Sequence, residues 1–252
     1  MHAVDAPAAP LPSEAPSASP VRAADRVLSL LEVAFCSGVP TQLAIMLALA
    51  AVGLQPLARD GGLSLPYVTL LSLADTALLM GLVLVFLRAR GDSPRHLFLG
   101  PRAAVSEAWL GLLLLPAVLV AVAALSVLIQ ATAPWLHNVP LNPLASLFRN
   151  GRDVAIFAVV AMIAGGAREE VQRAFILDRF ERHLGGAKVG LIVFSALFGL
   201  GHLLQGYDAA LVTGVLGLGW GVLFLWRRSV VAPLVCHALF NLAQVLYHAL
   251  AA

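Results

Sequence analysis

Two adjacent glutamates, Glu169 and Glu170, lie in a mainly apolar run from Ala161 to Leu177 that also carries Arg173. Two later apolar runs carry Phe198-x-x-x-His202 and His237-x-x-x-Asn241. Charge at bilayer depth is costly and persists where it has a partner or a task. A glutamate in such a place can hold and deprotonate a water. A histidine opposite can share that water or pass its proton to a leaving amine. A second histidine and an asparagine can donate hydrogen bonds to a developing oxyanion. These are parts for amide hydrolysis without a serine or cysteine nucleophile. Arg173 sits four residues after Glu169, which is ion-pair spacing on a helix, and reads as a structural partner of that carboxylate. Phe198 reads as packing that orients His202.

The elements that would position these groups are membrane helices. The chain has 252 residues, 60% of them hydrophobic and 12% charged. That charge content is about half the soluble-protein norm of roughly 25%. The expected fold is therefore all-α, a polytopic transmembrane bundle. A net charge of +2 offers no basic footprint for nucleic acid. Cys36 and Cys236 read as small buried hydrophobes, too few for a disulfide framework. Cys236 precedes His237, but helical neighbours point about 100° apart and make a poor nucleophile–base pair. Residues 1–26 are rich in Ala, Pro and Ser and are expected to be a disordered cytoplasmic tail. They lack the apolar core of a removable signal peptide, so the first span is expected to direct insertion. Residues 27–252 form the membrane domain.

A span needs about 20 mainly apolar residues, and about seven segments qualify. They run near Val27–Leu54 (with Glu32, Pro40 and Gln42), Pro66–Leu87 (with Asp75), Ala108–Gln130, Asp153–Arg182, Val189–Gln205, Ala209–Trp226 and Val230–Ala249. With the N-terminus inside, most arginines fall in inner segments, and the outer segments keep only Arg59, Arg149 and Arg152. This asymmetry is that of cytoplasmic loops. The fourth and fifth segments then form a hairpin. Glu169 and His202 each sit about 13 residues, or roughly 20 Å, above its inner ends. His237 and Asn241, four residues apart, share a face at roughly 10–18 Å up the seventh. All four can line one cavity in the inner to middle membrane. Glu32, Gln42 and Asp75 are further polar groups at membrane depth, without a role specified by the sequence.

Together the three motifs resemble those of the CPBP intramembrane proteases, also called the type II CAAX prenyl endopeptidase or Abi family. The resemblance covers roughly residues 150–245. It implies a CPBP-protease-like helical core with a membrane-embedded cavity opening toward lipid and cytosol. It implies that Glu169 and His202 activate water, and that His237 with Asn241 stabilises the oxyanion. It implies a membrane-anchored or lipidated protein as substrate, and a multi-pass protein of the plasma membrane, read here as a bacterial inner membrane. The usual first motif is EExxxR, and here only Val171 and Gln172 separate the pair from Arg173. Aligned on the arginine, Arg168 and Glu169 take the places of the pair. Aligned on the glutamates, Glu169 is catalytic, which its depth favours, with Glu170 the alternative base. Glu169, His202 and His237 could also bind a divalent metal with an open position. The shortened motif leaves room for a non-catalytic scaffold or immunity protein of the same fold. A proton-coupled transporter using Glu32, Asp75 and Glu169 is a third reading, against which no inverted repeat is visible.

Overall fold

The computed structural model describes residues 22–251. The tail expected to be disordered lies almost wholly outside these residues, but helix α1 begins at Ala23. Ten α-helices follow one another. They are α1 (Ala23–Phe35), α2 (Val39–Ala51), α3 (Leu65–Ala89), the short α4 (Pro94–Leu99), α5 (Ala104–Thr132), α6 (Gly151–Val160), α7 (Glu169–His183), α8 (Ala187–Leu200), α9 (Tyr207–Arg227) and α10 (Val231–Ala251). No strand occurs among the described residues; an isolated bridge joins Leu57 and Leu63.

Helices α3, α5, α9 and α10 are long and apolar enough to cross a membrane, and α1 with α2 makes a fifth span bent by 40°. The expected first span is therefore broken. Pro40 cannot continue a helix from its interior but suits a first turn, and Gly38 takes φ +89° just before it. Gln172 Nε2 donates to the Cys36 carbonyl at the break (2.7 Å), so the interrupted backbone keeps a partner. The expected fourth span is a continuous rod in which α6 passes through a π-helical segment, Ala161–Arg168, into α7. The expected fifth span is shorter than the sequence suggested. Helix α8 stops at Leu200, and a 3-10 turn, Leu203–Gln205, follows before Gly206 at φ +122°. His202 thus sits just past the helix rather than within it.

Helix α5 buries only Glu107, Gly111 and Ile129. Its remaining surface is mainly Leu, Val and Ala, an apolar belt that suits lipid and would be a liability in water. The two ends of the bundle differ. At one, Ser146 Oγ accepts from Leu63 N (3.1 Å), Asn142 Nδ2 donates to Gln205 (3.4 Å), and His137 pairs with Asp208 (2.6 Å), tying together the loops before α3, α6 and α9. At the other, ion pairs predominate. Arg179 bridges Glu32, Asp92 and Asp178. Arg182 pairs with Asp92, Arg227 with Glu107, and Arg228 with Glu181. Between this arginine-rich end and the middle of the molecule lies a packed core that includes Leu79, Val83, Leu87, Phe175, Ile176 and Phe180.

Candidate active site

Above that core a cavity of about 490 Å³ is lined by Glu169, His202, His237 and Asn241, together with Arg168 and Asp75. That volume lies within the range of small-molecule and peptide sites. The π-helical segment brings α10 to it. Widened turns of this kind occur frequently at functional sites. Here Gly166 packs so closely on α10 that a Cβ would lie 2.7 Å from that of Ala238, and a Cβ on Gly165 would collide with the Asn241 amide. Small residues at helix contacts permit such approach. Asn241 Nδ2 donates to the Ala161 carbonyl at the start of the segment (3.2 Å).

Glu169 opens α7 directly after the π-helical segment, with its side chain 17% exposed. Its Oε2 lies 3.8 Å from His237 Nε2 and its Oε1 3.9 Å from Arg168 Nη1. Glu170 is buried and does not line the cavity. Its Oε1 lies 2.7 Å from His237 Nδ1, and it forms an ion pair with Arg173. The arginine therefore serves Glu170, three residues before it, and not Glu169 as its four-residue spacing suggested. A carboxylate paired with guanidinium accepts, so Nδ1 of His237 donates and Nε2 is left turned toward Glu169. The ring of His237 is also stacked on Trp220, 3.7 Å between centroids and 16° between planes. Phe198 packs edge-on against both His202 and His237 and lies under Arg173, whose guanidinium carbon is 4.9 Å from its centroid. It braces two histidines and a cation rather than one histidine.

His202 Nδ1 lies 2.8 Å from the Phe198 carbonyl. A carbonyl only accepts, so Nδ1 carries the proton and Nε2 is an acceptor in the neutral ring. Among the described residues no three His, Cys, Asp or Glu side chains are placed to hold one metal ion. Glu169, His202 and His237 share the cavity but are not gathered into a ligand set; Nδ1 of each histidine is engaged and Nε2 of each is left free.

Sequence reasoning passed over Trp220 and weighed Arg168 only as a stand-in for the first glutamate of the motif. It noted Asp75 and Gln42 without a role. In the structure Arg168 Nη2 lies 2.5 Å from Asp75 Oδ2, Thr41 Oγ1 donates to Asp75 Oδ1, and Gln42 Nε2 donates to Oδ2 (3.4 Å). Gly38 makes room for the guanidinium, because a Cβ there would lie 2.5 Å from Nη2. That each charge in an apolar segment needs a partner was readable in the sequence; which partner it takes was not.

The apolar helices and the buried polar cavity define a multi-pass helical membrane protein. A family model described as Type II CAAX prenyl endopeptidase Rce1-like matches residues 151–243, from the start of α6 through all three motifs. The match supports membership in the CPBP family and, at the family level, a CAAX-type intramembrane protease. No curated protein and no solved structure matches the chain.

Proposed function

We infer that this protein is an intramembrane endopeptidase that hydrolyses a peptide bond of a membrane-anchored or lipidated protein in a bacterial plasma membrane, with its own N-terminus cytoplasmic. The observation that carries this reading is the convergence of Glu169, His202, His237 and Asn241, from separate helices and turns, on one cavity. Glu169 takes the proton of a water, and His202 Nε2 accepts a second hydrogen bond from that water and so orients it. The hydroxyl adds to the scissile carbonyl carbon. The oxyanion accepts from Asn241 Nδ2, which has one hydrogen beyond that given to Ala161, and from Nε2 of His237 when the ring is protonated. The bond to Glu170 and the stack on Trp220 hold that ring in place. The proton on Glu169 then passes to the leaving amine, the C–N bond breaks, and a carboxyl and an amine remain.

The test is cleavage of a quenched fluorogenic peptide carrying a lipid anchor by the purified protein in detergent. Loss of the general base or of the water-orienting ring removes about 10²–10⁴-fold in rate. Glu169→Gln and His202→Ala should each fall by that order while keeping the parent's elution profile. Glu170→Gln should keep measurable turnover, since its carboxylate holds His237 and does not face the cavity. Undiminished cleavage by Glu169→Gln, with activity lost in Glu170→Gln, would transfer the base to Glu170.

A further inference from the structure

Five side-chain amides line the cavity, and four of them are engaged. Gln42 donates to Asp75, Asn142 to Gln205, and Asn241 to the Ala161 carbonyl. The fifth, Gln244, has no hydrogen-bonding partner among the described residues. Counted from Val231, it stands about 20 Å along the α10 span. An amide held away from water is costly unless something supplies its partner. Helix α10 presents His237, Asn241, Gln244 and His248 to the cavity. Steps of four, three and four residues keep to one face of a helix, and here that face runs for roughly 17 Å. An extended chain rises about 3.3 Å per residue. The polar stripe therefore lies beside about five residues of such a chain.

We propose that Gln244 is a substrate-binding residue: its amide takes the main-chain N–H and C=O of the substrate residue two positions from the scissile bond, and so holds the segment extended along α10. That a bond is cut there rests on the hydrolase reading; the extended backbone on Gln244 does not. Unwound backbone at membrane depth must find its partners in the protein that surrounds it. A primary amide offers both a donor and an acceptor, which matches what one residue of a strand presents to its neighbour. Main-chain groups on one side of an extended chain recur at every second residue, about 6.6 Å apart. Gln244 lies three residues, roughly 4.5 Å, beyond Asn241, and its side chain is one methylene longer. A scissile carbonyl at Asn241 therefore brings the next residue on that side to Gln244. Other walls of the cavity, with Leu71 of α3 and Val212 and Leu216 of α9, receive uncharged side chains.

Equilibrium binding tests this apart from catalysis. The full-length Glu169→Gln protein in detergent is titrated into the lipid-anchored peptide of the cleavage assay, now carrying a single fluorophore, and anisotropy gives Kd. Further peptides carry one N-methyl group at successive residues around the scissile bond, each removing one N–H donor. Loss of one hydrogen bond in a dry site weakens binding by about tenfold. N-methylation two residues from the scissile bond, on one side of it, should raise Kd by that factor. Adding Gln244→Met, an apolar side chain of similar length, should raise it by a similar factor, and in that protein the same methyl group should cost nothing further. A scan in which no methyl at that distance weakens binding overturns the proposal without any change at Gln244. So does a Gln244→Met protein with unchanged Kd, one still sensitive to the methyl, or the absence of saturable binding. A peptide bound through Gln244 that the parent never cleaves would sink the hydrolase reading and leave this one standing.

Discussion

The carboxylates of this site differ by what surrounds them. Glu170 Oε1 meets both Arg173 and His237, and its place is to hold a ring. Glu169, its neighbour, points into the cavity with no partner closer than 3.8 Å. Consecutive helical residues diverge by about 100°, and that angle alone divides the pair into one buried and one working group. Arg168 and Asp75 form the other buried ion pair at this level. Removing one partner of such a pair leaves an uncompensated charge and costs about 3–5 kcal/mol, whereas replacing both by apolar groups of similar volume is often neutral. Asp75→Asn should therefore lower the thermal midpoint in detergent markedly, and Asp75→Leu combined with Arg168→Met should recover most of it. If the double variant is stable yet cleaves poorly, the pair also positions Glu169; if it is stable and fully active, the pair serves the fold alone.

At the scale of elements, the π-helical segment is the part that brings the motif-bearing helices together. Gly165 and Gly166 let α10 approach until Asn241 reaches the Ala161 carbonyl and Ala238 touches the backbone. Overpacking a contact of this kind costs about 1–3 kcal/mol. Gly166→Ala should destabilise the protein by that order, seen as a lower melting temperature in thermal scanning in detergent, and Gly165→Ala should chiefly lower turnover by displacing the Asn241 amide. The motifs were legible in the sequence because each is local. The shortened spacing between the glutamates and Arg173 was legible too, but its meaning was not. Ion-pair spacing allows three residues as well as four, and only the folded geometry, with Arg173 on Glu170 and Phe198 and Trp220 packed around the guanidinium, shows which carboxylate it meets.

For the whole molecule the two ends have different chemistry, and the arginine-rich one is a pH-dependent clamp. Burial would push the Asp92 carboxyl up; hydrogen bonds and charge from Arg179 and Arg182 outweigh this and hold it below the usual aspartate range. A carboxylate depressed on folding stabilises above its ordinary pKa of about 3.9, and that stabilisation fades as pH falls through the lower folded value. Asp92→Asn should therefore melt earlier than the parent at pH 7, with the gap closing below about pH 4. A gap that is constant with pH would mean that Asp92 acts through packing instead. The same end is filled by packed side chains, and the place of the cavity is a property of the assembled molecule and of no single motif.

The sequence by itself determined that this is a helical membrane protein and which residues carry polar chemistry inside it. Hydrophobic length and the cost of buried charge are local quantities, readable along the chain. The span limits were less legible. The break at Gly38–Pro40 and the early end of α8 depend on which backbone groups find partners across helices. The tertiary structure alone decided that Arg173 holds Glu170, that Asp75 holds Arg168, and that the cavity reaches the arginine-poor end. Those pairings join residues by helix rotation and crossing, and one-dimensional spacing does not specify either.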